Sequence, residues 1–166
     1  MARFFLGLGS NLENPIEQLK KARKQLSQIK EIKEIKASSI YKTKPWGYLE
    51  QPDFFNAVIE YLSYNLEPYS LLDLILGIEE KMGRIRSFKY AARVIDIDLL
   101  TYGDLELKNP KLTIPHPLIK ERDFVLIPLL EIAPELEIKG QGLVKNLADK
   151  CDKIGVEKLI FNQWTV

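Results

Sequence analysis

Two aspartates stand two residues apart in Arg93-Val94-Ile95-Asp96-Ile97-Asp98-Leu99-Leu100, a run that is otherwise apolar and rich in β-branched residues. Such a run predicts a buried strand over 93–100. Successive side chains of a strand point to opposite faces, so Asp96 and Asp98 share one face while Ile95, Ile97 and Leu99 take the other. With Cα atoms about 6.5–7 Å apart along the strand, the two carboxylates can converge on one or two hard cations. A bound cation offsets the cost of holding two like charges beside a core, whereas on an exposed edge the same pair would simply be solvated. Asp96 and Asp98 are the candidate metal ligands. Just upstream, Arg84, Arg86, Lys89 and Arg93 crowd the segment between Gly83 and the strand. Cations beside a carboxylate-bound metal suit a polyphosphate.

The elements that must position these residues follow from local pattern. Arg3–Leu8 reads as a short apolar strand that leaves through Gly9-Ser10-Asn11. Asn14 suits a helix N-cap and Pro15 the first helical position, after which Ile16, Leu19, Ala22, Leu26 and Ile29 recur at helical spacing. The stretch Ile29–Lys36 has a three-residue period that matches neither helix nor strand. Ser38–Thr43 and Phe55–Tyr64 predict strands, joined by a loop holding Lys44-Pro45-Trp46-Gly47 and Gln51-Pro52-Asp53. Pro68 opens a second helix with Leu71, Leu72, Ile75, Ile78 and Met82 on its apolar face, and Gly83 is placed to stop it. The order strand, helix, strand, strand, helix, strand is the split βαβ pattern of ferredoxin-like domains. It predicts an α+β fold: a ferredoxin-like βαββαβ core, an antiparallel sheet with helices packed on one face, and C-terminal additions beyond Tyr102.

Composition excludes several classes. At 166 residues and 46% hydrophobic, with no internal repeat or linker, the chain predicts one domain over residues 1–166. The 24 Lys+Arg nearly balance 23 Asp+Glu, so no global field recommends nucleic acid or an anionic membrane as partner. One cysteine, Cys151, allows neither an internal disulfide nor a cysteine-built zinc site, which fits a reducing cytoplasm. No apolar run is long enough for a signal-peptide core or a membrane span. There is no Gly-x-x-x-x-Gly-Lys-Ser/Thr phosphate loop, and Gly7-Leu8-Gly9 is too short a fragment to indicate a dinucleotide.

Four segments, Tyr41-Lys42-Thr43-Lys44-Pro45-Trp46-Gly47, Gln51-Pro52-Asp53-Phe54-Phe55-Asn56, Arg93–Asp98 and Pro115-His116-Pro117, together resemble the 6-hydroxymethyl-7,8-dihydropterin pyrophosphokinases of folate synthesis. The resemblance runs from Gly9-Ser10-Asn11 to about Pro134. It implies a monomer of ferredoxin-like fold that moves pyrophosphate from ATP to the pterin hydroxymethyl oxygen, releases AMP and uses two magnesium ions. It makes Asp96 and Asp98 the metal ligands and Arg84 and Arg93 catalytic. Glu79, Arg86, Lys111, Thr113, His116 and Arg122 join the two arginines along the ATP. Thr43, Lys44, Trp46, Phe54, Asn56 and Phe124 fall to the pterin; Asn56 offers the donor and acceptor that match an amide edge, and the aromatics suit a flat ring. Tyr90-Ala91-Ala92 stands where many members have Trp-Gly-Pro, Leu76 where some have glutamine, and Trp46 where an aliphatic residue is common. Rival readings on the same fold are a small-ligand module without chemistry and an RNA-binding module. The second lacks the aromatic-rich RNA-binding strand.

Overall fold

The first strand, β1 (Ala2–Ser10), sorts its side chains by alternation: Phe4, Leu6 and Leu8 enter one core and Phe5 another. Gly7 and Gly9 share the face of Phe5. The computed structural model describes residues 1–85, 87–159 and 164, so the predicted phosphate contact Arg86 lies outside the described residues. After β1 come α1 (Pro15–Leu26), β2 (Ile32–Ala37), β3 (Tyr41–Thr43), β4 (Phe54–Ser63), α2 (Pro68–Lys81) and β5 (Asp96–Tyr102). Beyond them lie β6 (Leu107–Lys108), β7 (Thr113–Ile114), a 3-10 turn at Ile119–Glu121 and α3 (Asp123–Ile132). The chain continues through β8 (Glu137–Ile138), β9 (Gly142–Leu143), α4 (Val144–Asp149) and β10 (Val156–Lys158).

The main sheet runs β10-β3-β4-β1-β5, every pair antiparallel, with β2 on the same edge of β4 as β3. Counting β2 and β3 as one interrupted strand gives the ferredoxin-like order, as predicted. Leucines and isoleucines of α1 and α2 cover the Phe4 face, while Val125, Leu126 and Leu129 of α3 pack on Phe5, Val58 and Leu100 of the opposite face. α3 covers only part of that face. The end carrying Gly9, Asn56 and Asp96 stays open, and there the site forms.

Several boundaries differ from the sequence expectation. The Ile32–Ala37 stretch is a strand whose register shifts between Glu34 and Lys36, so one extra residue, Ile35, is turned out to solvent while Ile32 stays buried. That bulge explains a period that matched neither template. Ser38 interrupts the edge strand: its amide donates to Val58 O at 2.9 Å, and its hydroxyl accepts the Val58 amide at 2.9 Å. The predicted strand at 38–43 therefore shrinks to Tyr41–Thr43. α1 starts at Pro15 as expected, but Asn14 adopts φ 60° and makes no side-chain cap, and the helix stops before Ile29. Gly83 does follow α2 with φ +88°, a conformation that favours glycine. β5 starts at Asp96 rather than Arg93, because the Arg93 backbone pairs with Asn11 instead of a neighbouring strand.

Candidate active site

Register brings the chemistry together. Asp96 lies opposite Gly9, which lies opposite Asn56 on β4, and Asp98 lies opposite Gly7. Glycines thus floor the space between the carboxylates and the amide. A Cβ at Gly9 would stand 2.6 Å from Asn56 Oδ1, so the amide occupies room that only glycine leaves free. Asn56 Nδ2 donates to Thr43 Oγ1 at 2.6 Å, which fixes the amide and keeps Oδ1 and one N–H for a ligand. Gly9→Ala is expected to raise the KM of a ligand held by Asn56 by on the order of 10-fold and to leave the nucleotide KM unchanged, read by steady-state kinetics.

The carboxylates are tied to arginines. Asp96 accepts from Arg84 Nη1 at 2.7 Å and Arg93 Nη1 at 3.2 Å, and Asp98 meets Arg122 Nη1 at 3.4 Å. Burial, with repulsion from Asp96 behind it, pushes the Asp98 carboxyl up to about 7 despite the opposing charge of Arg122. Such mutual repulsion is what a shared cation would relieve. Glu79, 3% exposed, reaches across from α2 and accepts the Ile97 amide at 2.9 Å on the free edge of β5, and it also pairs with Arg84. Burial raises the Glu79 carboxyl, opposed by Arg84 and the Ile97 amide. Burial opposes the Arg84 charge, but Asp96 and Glu79 outweigh it and hold its pKa above the ordinary value.

Two cavities meet at Asp96, Arg93 and Arg122. One is a cleft of about 690 Å³ lined by Glu79, Arg84, Lys89, Arg93, Asp96, Asp98, Lys111, Thr113, His116 and Arg122, with Leu72, Leu76 and Leu112 as apolar walls. It gathers every residue predicted for ATP other than Arg86. Lys111 there pairs loosely with Asp73 at 3.6 Å, and both are exposed. The second is a slot of about 40 Å³ lined by Thr43, Lys44, Trp46, Phe54, Asn56 and Phe124, the six residues predicted for the pterin. Burial, then the Arg122 charge, lowers His116 to about 4, so its ring is neutral at pH 7. Its Nδ1 accepts the Leu118 amide at 3.1 Å, which places the proton on Nε2 as a donor.

The model of the family described as 7,8-dihydro-6-hydroxymethylpterin-pyrophosphokinase matches residues 5–134. The chain belongs to this family. A pyrophosphokinase named 2-amino-4-hydroxy-6-hydroxymethyldihydropteridine pyrophosphokinase in Methylorubrum extorquens is 40% identical over 96% of this chain and 99% of its own length. The protein of the same name in Haemophilus influenzae is 40% identical over 89% of this chain and 91% of its own. Among solved structures, a wild-type Plasmodium falciparum HPPK-DHPS superposes with a TM-score of 0.72 at 17% identity over 95% of this chain, a likeness of fold. The present chain spans 47% of that longer one.

Within this pyrophosphokinase, sequence reasoning gave no role to Asn11 and Gln51. Asn11, 3% exposed, donates to Gln51 Oε1 and Pro52 O at 2.9 Å each and accepts the Arg93 amide at 2.9 Å. Gln51 in turn donates to Tyr48 O at 2.6 Å and Tyr90 O at 2.7 Å. The Trp46 loop and the Tyr90–Arg93 segment are thus fastened to one strand end. Tyr90 packs edge-on against Trp46 with centroids 5.0 Å apart, and Tyr48 against Phe88 at 5.1 Å. Only the Asx chemistry of Gly9-Ser10-Asn11 signalled Asn11, and a turn reading absorbed it.

Proposed function

We propose that this site transfers pyrophosphate from ATP to the hydroxymethyl oxygen of 6-hydroxymethyl-7,8-dihydropterin, with ATP in the large cleft and the pterin in the slot. The observation that carries the reading is Asp96 and Asp98 on one sheet face at the junction of an arginine-lined cleft and an aromatic, amide-bearing slot. The donor set fits magnesium. No cluster of three or more His, Cys, Asp or Glu suited to a metal occurs among the described residues, so two carboxylates would bind and phosphates and water would complete the shell. Two magnesium ions are proposed, held by Asp96 and Asp98; bound there, they supply neutralisation of phosphate charge and activation of the attacking hydroxyl.

The chain's own residues do the positioning. Asn56 and the aromatic walls fix the ring so that its hydroxymethyl arm points at Asp96 and the β-phosphorus. Arg84 and Arg93, which hold Asp96 at 2.7 and 3.2 Å, would serve the phosphates of ATP in the adjoining cleft. His116, neutral, donates from Nε2 to a phosphate oxygen, and Arg122 adds a charge. The Trp46 and Tyr90 segments exclude water, which would otherwise accept the pyrophosphoryl group. No protein base is required. The enzyme is proposed to work as a monomer, as the resemblance to its family implies, in the cytoplasm where ATP is at hand. No helix among the described residues is long and apolar enough to cross a membrane.

Purified protein with magnesium, ATP and the pterin is expected to release AMP in step with pterin consumption, and EDTA is expected to stop it. ADP as the product would sink the proposal. A non-catalytic binding module would bind both ligands and release neither product.

A further inference from the structure

Both aromatic walls of the slot carry an arginine. Arg93 Cζ stands 5.5 Å from the Phe54 ring centre, and Arg122 Cζ lies 4.9 Å from Trp46 and 5.6 Å from Phe124. Trp46 and Phe124 are themselves only 6.5 Å apart, so the Arg122 guanidinium fills the corner between them. The slot keeps about 40 Å³, room for a few waters and far too little for a bicyclic ring. A flat ring and the Arg122 guanidinium therefore compete for the same aromatic surfaces.

Arg122 is poorly held where it rests. Its Nε is buried with no hydrogen-bond partner, and its pairing with Asp98 is a single contact at 3.4 Å. A guanidinium has five donors, and leaving a buried one unmet is costly. The same side chain also lines the large cleft, where a polyphosphate offers the oxygens it lacks. Stacking on Trp46, the strongest cation–π partner among the aromatics, balances this position against departure.

We propose that Arg122 gates the ring slot: resting on Trp46 and Phe124 it bars a flat ligand, and a triphosphate in the cleft draws it away and opens the slot. The inference rests on the functional reading that the cleft takes ATP and the slot the pterin. Its consequence is a reciprocal coupling in which nucleotide tightens pterin binding by removing a competitor, with no direct contact between them needed. It also predicts an unusual sign, since losing a nucleotide-binding arginine should improve binding of the other substrate.

Calorimetric titration of 6-hydroxymethyl-7,8-dihydropterin, with and without magnesium and α,β-methylene-ATP, tests this. The wild-type protein is expected to bind the pterin roughly tenfold more tightly with the analogue present. Arg122→Ala is expected to bind pterin alone roughly tenfold more tightly than wild type, with little added by the analogue. Arg122→Lys keeps a charge beside Asp98 and so guards against loss of folding; it should shift pterin affinity the same way. Pterin affinity without nucleotide that is unchanged or weaker in both variants overturns the gate. Failure of the functional reading shows separately, as absence of AMP from the wild-type enzyme, and takes the gate with it. AMP from wild type with no gain in either variant condemns the gate alone.

Discussion

Asp98→Asn is expected to cut turnover by a factor on the order of 10³ or more while the metal-free protein becomes more stable at pH 8. Both effects come from one group. Asp98 sits beside Asp96 with its carboxyl pushed well above the ordinary aspartate value by burial and by that neighbour. The native state then binds a proton that the unfolded chain has already lost, so the contribution of Asp98 to stability falls as pH rises from about 4 towards 7 and stays low above it. Asparagine removes that penalty and keeps the shape. It also removes one of the two carboxylates proposed to hold magnesium, and no third acidic, His or Cys ligand stands ready in the described residues. Thermal melts at pH 5 and 8, with turnover on the same samples, check it. Near wild-type turnover in Asp98→Asn and Asp96→Asn alike would refute the metal assignment.

Arg84→Ala is expected to lose about 3 kcal/mol of stability and turnover by a factor on the order of 10³. The Arg84 side chain is 12% exposed and lies between Glu79, 3% exposed, and Asp96. Removing it leaves two acidic groups facing each other near a core with less positive charge to balance them. Turnover falls for a different reason, since the guanidinium also lines the cleft proposed to take the ATP phosphates. The two effects can be separated. Adding Glu79→Gln should recover most of the stability, because a neutral amide needs no cation and still accepts the Ile97 amide, but it should recover none of the turnover. Recovery of both in the double variant, measured by denaturant titration and AMP release, would show that Arg84 serves folding alone.

Much of this was legible because it depends on period. Alternation around Ile95, Ile97 and Leu99 placed Asp96 and Asp98 on one face, and the structure keeps them there although the strand begins three residues later than Arg93. Helix starts at Pro15 and Pro68 followed from proline's fixed φ. What the sequence hid depends on distant partners. The bulge at Ile35 exists because Glu34 and Lys36 pair with adjacent residues of β4, a register that no local pattern encodes. Asn11 reads as a turn residue until Gln51, Pro52 and Arg93 arrive from 40 to 82 residues away. Apart from the family resemblance, nothing local separates Phe54 and Phe124 from core phenylalanines, and they stand as walls because the sheet end beside Asn56 is left open. The corner that Arg122 fills likewise needs Trp46, from the loop after β3, and Phe124, from the first turn of α3, brought together across the fold.

The paired carboxylates are proposed to serve transfer of a pyrophosphoryl group, not a single phosphoryl group, between two ligands bound on either side of Asp96. ATP labelled with phosphorus-32 at the β-position tests it most directly, with magnesium and 6-hydroxymethyl-7,8-dihydropterin and separation of products by chromatography. The label is expected to move to the pterin, leaving unlabelled AMP, and to stay in ATP when Asp96 or Asp98 is replaced by asparagine. Label retained in ADP, or label moved to the pterin at undiminished rate by both variants, would contradict the account.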